Sequence, residues 1–173
     1  MNQIQKKKRL VLDLDKTIWD CYDKNSQEIW AKQLVPPFSS NEDNSELTDD
    51  VGGICRLKQD FRLFITEVAK LNLKVCFLSI GARQFTPLRF QPSYIALQEF
   101  NLLKFFSGKN HLLYKTEKKI DFFNKNFLSL FVDDSDENLK SVNELEYIKT
   151  IDAKLINSWA NVIPQVKNFL VSN

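Results

Sequence analysis

Four continuous apolar runs of strand length constrain the fold of this chain most strongly. Apolar residues that are consecutive rather than alternating indicate burial on both faces, as in a parallel sheet covered by helices. Segments with the apolar spacing of helices lie between the runs. This order predicts an α/β fold in which a Rossmann-like parallel sheet forms a three-layer α/β/α sandwich. The apolar runs span residues 10–14, 73–79, 128–132 and 147–151.

The predicted helices follow from apolar residues that recur every three or four positions. Asp60 is placed to cap the first of them, and Pro92 stands at the start of the second, where proline is well tolerated. We also expect a short additional strand near residues 105–106. The five predicted helices span residues 60–72, 92–106, 116–126, 136–145 and 163–171.

The segment from residue 18 to residue 58 has no clear helical pattern and contains Pro36-Pro37 and Gly52-Gly53. An insertion of this length in one small domain is usually functional or mobile. We therefore expect a single domain over residues 1–173, with a minimal cap and a flap or specificity insertion at about 18–58. Its polar and acidic middle, residues 39–50, is expected to lack regular structure.

Composition excludes several classes of function. The 173 residues suit one domain, and the net charge of +2 with both signs interspersed gives no support for binding nucleic acid or a membrane. The basic run at residues 6–9 is interpreted as a solvated tail. The chain has no 18-residue apolar span and no apolar signal core near its start, which favours the cytoplasm.

Cysteine and histidine offer little chemistry here. Cys21, Cys55 and Cys76 are odd in number, widely spaced and without a C-x-x-C motif, which disfavours a disulfide framework and a thiolate zinc site. Cys76 lies in an apolar run and is expected in the core. Because His111 is the single histidine, catalysis must depend mainly on carboxylates, hydroxyls and lysines.

Two acidic pairs follow predicted strands. Asp13 and Asp15 lie at the carboxyl end of the first run, and Asp133 and Asp134 come after the third, so all four are expected at the carboxyl edge of the sheet. Clustered carboxylates raise one another's pKa and need a cation or a shared proton. Because the candidate ligands are all oxygen atoms, the sequence predicts a site for a hard divalent ion. Mg²⁺ is the expected cofactor.

Other polar residues are expected at the same edge. Ser79 ends the second predicted strand, and Lys115 precedes the third predicted helix. A hydroxyl, a lysine, a magnesium site and a spare carboxylate together suit phosphoryl transfer, in which positioning and charge neutralisation supply most of the catalysis.

These residues carry a resemblance to a known family. The sequence from Asp13 to Thr17 resembles the D-x-D-x-T motif of haloacid dehalogenase superfamily phosphatases, with Ser79, Lys115 and Asp133-Asp134 at the places of the other three motifs. "LDLDKTIWD" followed by "VPPF" is most similar to the magnesium-dependent acid phosphatases of that superfamily. The resemblance spans about residues 9–151.

The resemblance implies a role for each residue. Asp13 would attack phosphorus and form an aspartyl-phosphate, and Asp15 would act as general acid and then as general base. Asp13, Asp134 and the backbone carbonyl of Asp15 would bind Mg²⁺, with support from Asp133. Lys115 would also be a catalytic residue. The phosphate-binding set is Leu14, Ser79, Ile80, Arg83 and Lys115.

Two features depart from the family pattern. Relatives place an arginine directly after the second-motif residue, whereas three residues separate Ser79 from Arg83 here. Lys118 and Lys119 compete with Lys115 for the third motif, and Lys115 is preferred because it leaves room for a full helix before the next strand.

We therefore expect a magnesium-dependent phosphatase that acts on a phosphorylated small molecule or a phosphoprotein, with phosphotyrosine and sugar phosphates as the first substrates to consider. The alternatives are a receiver-like domain and an inactive domain that only binds phosphorylated ligands. In receiver domains the acidic pair comes early and the phosphorylated aspartate lies mid-chain. The order of motifs in this sequence fits a receiver domain less well than it fits a phosphatase.

Overall fold

A computed structural model describes residues 6–172 of the chain. Its regular elements are strands β1 to β10 and helices α1 to α4. The strands are β1 (Lys7–Leu12), β2 (Trp19–Tyr22), β3 (Glu28–Ile29), β4 (Phe38–Ser40), β5 (Glu46–Asp49), β6 (Ile54–Leu57), β7 (Lys74–Ile80), β8 (His111–Leu113), β9 (Phe127–Asp133) and β10 (Ile148–Asp152). The helices are α1 (Phe61–Ala69), α2 (Pro92–Glu99), α3 (Asp136–Val142) and α4 (Ile163–Val171).

Five of the strands form a parallel sheet in the order β10-β9-β1-β7-β8. All four predicted strands are present in it, with ends shifted by up to three residues. The middle strand β1 pairs with β9 and β7, so that Leu12 lies between Val132 and Phe77. The carboxyl ends of these three strands therefore meet at one edge, as the sequence predicted.

Apolar side chains cover both faces of the parallel sheet. Leu10 and Leu12 face a large cluster that includes residues of α1, α2 and α4. Val11, between them, faces a second cluster with Phe131 and with Val142 of α3. Alternate residues of a strand point to opposite faces, so β1 is buried on both, which explains its continuous apolar run. The observed fold is α/β.

Helices α1 to α4 confirm four of the five predicted helices, although α2 ends at Glu99 rather than near residue 106. Pro92 begins α2 as expected. The prediction that Asp60 caps α1 is wrong: Asp60 has a left-handed backbone (φ 60°), and its side chain makes no capping hydrogen bond. The Asp60 carboxylate instead accepts a hydrogen bond from the hydroxyl of Ser158, at 2.6 Å.

The predicted helix over residues 116–126 is also wrong. Only one 3₁₀ turn forms there, at Lys119–Phe122. Phe122 and Phe123 are adjacent, yet both rings approach the guanidinium of Arg9, with centroids at 4.4 and 5.5 Å from its central carbon. Neighbouring residues of an α-helix do not share a face in this way. The contact with Arg9 therefore favours the irregular backbone.

The additional strand lies later in the chain than predicted. Residues 103–105 form a 3₁₀ turn, and the fifth parallel strand is β8, at His111–Leu113. Phe106 packs edge-on against Phe77 of the sheet, with 5.3 Å between ring centroids. Burial of this aromatic side chain explains the apolar signal that suggested a strand.

The insertion at residues 18–58 forms an antiparallel sheet in the order β3-β2-β6-β5-β4, which we call the insertion sheet. Its middle is ordered, contrary to our expectation, because β4 and β5 pair as a hairpin. The Asn41 side chain accepts the backbone N–H groups of Ser45 and Glu46 within the turn. Trp19 and Leu47 of this sheet belong to the same apolar cluster as Leu10.

A disulfide joins Cys21 of β2 to Cys55 of β6, which corrects the expectation from cysteine spacing. The two residues are directly opposite each other in adjacent antiparallel strands, with 4.1 Å between their Cα atoms. Their separation of 34 positions concealed this pairing in the sequence. Cys76 is free and buried, as predicted.

Within residues 6–172, no helix combines the length and the apolar character needed to cross a membrane.

Candidate active site

Asp13 is fixed at the carboxyl end of the central strand. Its backbone N–H donates to the carbonyl of Val132 at 2.9 Å and extends the pairing of β1 with β9 by one residue. The residue is 4% exposed. Thr17 Oγ1 donates to Asp13 Oδ2 at 3.3 Å. The apolar lead-in of β1 thus holds a nearly buried carboxylate at the edge of the sheet.

A tight turn places Asp15 beside this carboxylate. The carbonyl of Leu14 accepts hydrogen bonds from the N–H groups of Thr17 and Ile18, and Lys16 takes a left-handed backbone conformation (φ 62°). The turn directs the chain from the parallel sheet into the insertion sheet.

Strand β2 and the turn after β3, both in the insertion, hold the Asp15 side chain through one of its two oxygens. Asp15 Oδ1 accepts hydrogen bonds from Trp19 Nε1 at 2.9 Å and from the backbone N–H of Ala31 at 2.7 Å. Its other oxygen, Oδ2, is buried and has no hydrogen-bond partner among residues 6–172. Burial raises the pKa of Asp15 to about 6, and the charge of Asp13 adds to this effect. The Asp15 carboxyl can therefore keep its proton to a higher pH than an ordinary carboxyl group does.

Lys119, rather than the preferred Lys115, lies among the carboxylates. Lys119 Nζ is 2.5 Å from Asp13 Oδ1 and 2.6 Å from Asp133 Oδ2, and the side chain is buried. Burial lowers the pKa of Lys119, but the two carboxylates outweigh this effect and the net pKa is raised. Lys115 and Lys118 are exposed. The third predicted helix did not form, and the shorter turn brings Lys119 to the site.

Asp133 and Asp134 have different surroundings. Asp133 is fully buried and accepts hydrogen bonds from Lys119, from the backbone N–H of Ser135 and from the Asn138 side chain. Asp134 is half-buried, and burial together with the charge of Asp13 raises its pKa. Asp133 thus orients Lys119, whereas Asp134 remains available for a ligand.

Oxygen atoms of Asp13, Asp133 and Asp134 lie within 4.8 Å of one another. Together with Asp15 and Lys119, these residues form what we call the acidic rim. When Asp13, Asp133 and Asp134 are ionised, Lys119 balances only part of their charge, so the arrangement favours an additional cation. The oxygen donors suit a hard divalent ion.

The acidic rim opens into a cavity of about 390 Å³. Ser79 and Ile80, at the end of β7, line it together with Lys16 and Trp30. The sequence predicted Ser79 and Ile80 at this edge, and the structure brings both there. Trp30 is 37% exposed at the mouth of the cavity, with Lys32 Nζ 4.2 Å from its ring centroid.

The structure does not bring Arg83 and Leu14 into this cavity. The Arg83 guanidinium donates hydrogen bonds to the backbone carbonyls of Lys32 and Leu34, at 2.7 and 3.0 Å. Leu14 is buried in the apolar core and contributes a carbonyl to the turn. Because three residues separate it from Ser79, Arg83 lies outside the cavity and binds the backbone of the insertion instead.

Sequence reasoning missed the support from Asn138 and the backbone of Ala31. The Asn138 side chain donates to both oxygens of Asp133, at 3.2 Å each. Its position in the first turn of α3, five residues after Asp133, is a signal that could have identified it. No sequence signal marks the Ala31 N–H group, because every residue except proline has one.

Comparisons of the chain with protein-family models and with curated proteins found no match.

Proposed function

We propose that this chain is a magnesium-dependent phosphomonoester hydrolase that acts through an aspartyl-phosphate on Asp13. The proposal includes a three-layer sandwich of the haloacid dehalogenase type with a minimal cap. The observation that carries it is the acidic rim: a buried Asp13 paired with Lys119, beside an Asp15 whose Oδ2 has no partner among the described residues. A nucleophile and a proton donor thus stand two residues apart at one cavity.

The donor set fits Mg²⁺, because the three clustered carboxylates exceed the charge of Lys119 and contain no nitrogen or sulfur ligand. Asp13, Asp134 and the backbone carbonyl of Asp15 would hold the ion. When bound, it would neutralise charge on the phosphoryl oxygens and hold the phosphate beside Asp13.

Asp13 supplies the nucleophile. One of its carboxylate oxygens attacks phosphorus, a new bond forms between that oxygen and phosphorus, and the bond from phosphorus to the alcohol oxygen breaks. Val132 and Thr17 hold Asp13 in place through the hydrogen bonds to its backbone and side chain. This rigidity favours in-line attack.

Asp15 supplies the proton. The protonated Asp15 gives its proton to the departing alcohol oxygen through Oδ2, while Trp19 and Ala31 keep Oδ1 fixed. The resulting carboxylate then removes a proton from the water that attacks the aspartyl-phosphate. Inorganic phosphate leaves, and Asp13 and protonated Asp15 are restored.

Lys119 and Ser79 support the transferred group. Lys119 lies against Asp13 Oδ1, where its charge lowers the repulsion between the carboxylate and an incoming phosphate. Ser79 lines the cavity and has a hydroxyl that can donate to a phosphoryl oxygen. Trp30 at the mouth favours an aryl phosphate such as phosphotyrosine, with sugar phosphates as the other class to test.

Hydrolysis of an aryl phosphate tests the proposal. With Mg²⁺ present, we expect release of phosphate that EDTA abolishes and that Asp13→Asn lowers by at least about a thousandfold. The control is Asp20→Asn, which removes an acid of β2 that pairs with Lys58 away from the cavity. Activity that survives either EDTA or the Asp13 change would refute the mechanism.

The role of Asp15 has its own test. Asp15→Asn should still form an aspartyl-phosphate from an activated aryl ester, because a good leaving group does not need a proton. Its breakdown should slow by about a hundredfold or more, since the general base is lost. Trapping the acyl-phosphate by rapid acid quench measures both steps, and an unchanged breakdown rate would exclude Asp15 as the base.

A further inference from the structure

A second and larger cavity, of about 560 Å³, lies away from the acidic rim. Arg9 lines it from the same strand that ends at Asp13. Asp13 lies four positions after Arg9, which corresponds to about 13 Å along the strand. Of the residues in the acidic rim, none lines this cavity. The two cavities are therefore separate sites on the protein.

Arg9 is buried in an unusual way for a charged residue. It is 5% exposed, its Nε donates to Ser129 Oγ at 2.9 Å, and its guanidinium carbon lies 4.4 Å from the ring centroid of Phe122 and 4.7 Å from that of Phe127. Its Nη2 is buried without a hydrogen-bond partner in the part of the chain that the structure describes. The rings cover the guanidinium and leave this donor unused.

No carboxylate among residues 6–172 forms an ion pair with Arg9. Burying a cation without a counter-ion is costly, and contact with aromatic rings offsets only part of the cost. Burial accordingly lowers the pKa of Arg9. An anion that reached the guanidinium would supply the missing partner.

The walls of the cavity also favour an anion. Arg9, Lys74, Lys109 and Lys118 line it, against only two acidic residues. One of the acids, Glu117, already accepts the backbone N–H of Tyr114 at 2.7 Å. The other acid, Asp121, is exposed. Cationic side chains thus outnumber anionic ones around a buried donor that lacks a partner.

We infer that this cavity binds a small oxyanion, the phosphate or carboxylate group of a small molecule, with the Arg9 guanidinium as the central donor. The lysines at the cavity wall would add electrostatic attraction, and the Phe122 and Phe127 rings would contact an apolar part of the ligand. This inference does not depend on phosphatase activity, because the site shares no residue with the acidic rim.

His111 provides the readout. It lines the cavity, with its ring centroid 5.2 Å from that of Phe122, and it is the single histidine of the chain. Its ring carbon–proton signal in NMR therefore reports on this cavity without assignment of the whole spectrum. We expect the signal to shift and saturate on titration with inorganic phosphate or with succinate, in EDTA at constant ionic strength. The two titrations show whether phosphate or carboxylate is the preferred group.

Variants locate the binding. Arg9→Met should abolish the saturating shift, whereas Lys167→Met, which removes an exposed charge on α4, should leave it unchanged. If Arg9→Met does not fold, the double variant Lys74→Met/Lys109→Met replaces it and should weaken binding at least about tenfold. The inference is overturned by a shift that sodium chloride reproduces, or by saturation with unchanged affinity in these variants.

Discussion

The acidic rim and the insertion sheet are adjacent, but they differ in the kind of side chain that they bury. The rim buries Asp13, Asp133 and Lys119 and leaves Asp134 half-buried. The insertion sheet instead buries apolar groups such as Leu47, and a disulfide joins its adjacent strands β2 and β6. Burying charges is expensive even when they are paired, whereas apolar burial stabilises a fold. The rim therefore carries an energetic cost of burial that the insertion sheet largely avoids.

The two regions meet at Asp15. Its carboxylate belongs to the acidic rim, but both of its hydrogen-bond donors come from the insertion: Trp19 through its indole N–H and Ala31 through its backbone. The insertion therefore helps to hold a residue of the candidate site. Three predictions test how far the two regions are distinct.

Substitution of Lys119 is expected to change stability more than the other two changes. Lys119→Met leaves the buried carboxylates of Asp13 and Asp133 unpaired, so we expect the free energy of unfolding to fall by about 4 kcal/mol. The exposed Lys115→Met should change it by less than about 0.5 kcal/mol. Urea unfolding in EDTA measures both. Equal effects of the two substitutions would mean that Lys119 does not hold the rim together.

Reduction of the disulfide is expected to have the second-largest effect on stability. Loss of the link between Cys21 and Cys55 should lower the free energy of unfolding by about 3 kcal/mol, because the unfolded chain gains freedom. Aryl phosphate hydrolysis per folded molecule should stay the same if the insertion sheet is mainly structural.

Thiol titration of the denatured protein provides the control for that result. Since Cys76 is free, one thiol should react before reduction and all three cysteines after it. Three reactive thiols before reduction would contradict the disulfide. A fall in the rate of hydrolysis on reduction would show that the insertion sheet does more than support the fold.

Trp19→Phe is the smallest and most selective change. Phenylalanine keeps an aromatic ring against Phe100, whose centroid is 5.7 Å away, but it loses the N–H that fixes Asp15. We expect a loss of about 1 kcal/mol in stability and about tenfold in kcat/KM.

Trp159→Phe is the matched control for Trp19→Phe, because Trp159 is equally buried but packs on Phe61 and Phe64 instead of on the rim. It should lower stability by a similar amount and leave kcat/KM unchanged. If both variants lose activity equally, the indole N–H of Trp19 has no specific role in holding Asp15.

Much of the rim was predictable because it depends on local rules. Apolar runs identified the strands, and acidic pairs directly after two of them placed Asp13, Asp15, Asp133 and Asp134 at one edge. The lysine was not predictable in the same way. Lys115, Lys118 and Lys119 lie within five positions, and the contact of Phe122 and Phe123 with Arg9 favours the irregular backbone that turns Lys119 inward.

The sequence alone determined four of the five strands of the parallel sheet and the positions of the acidic pairs, because burial on both faces leaves a run of consecutive apolar residues. Tertiary structure decided which lysine joins them, which cysteines pair, and that the backbone of Ala31 holds Asp15. These contacts join residues 16 to 106 positions apart. No local pattern encodes such contacts, because they exist only after the strands and turns have packed together.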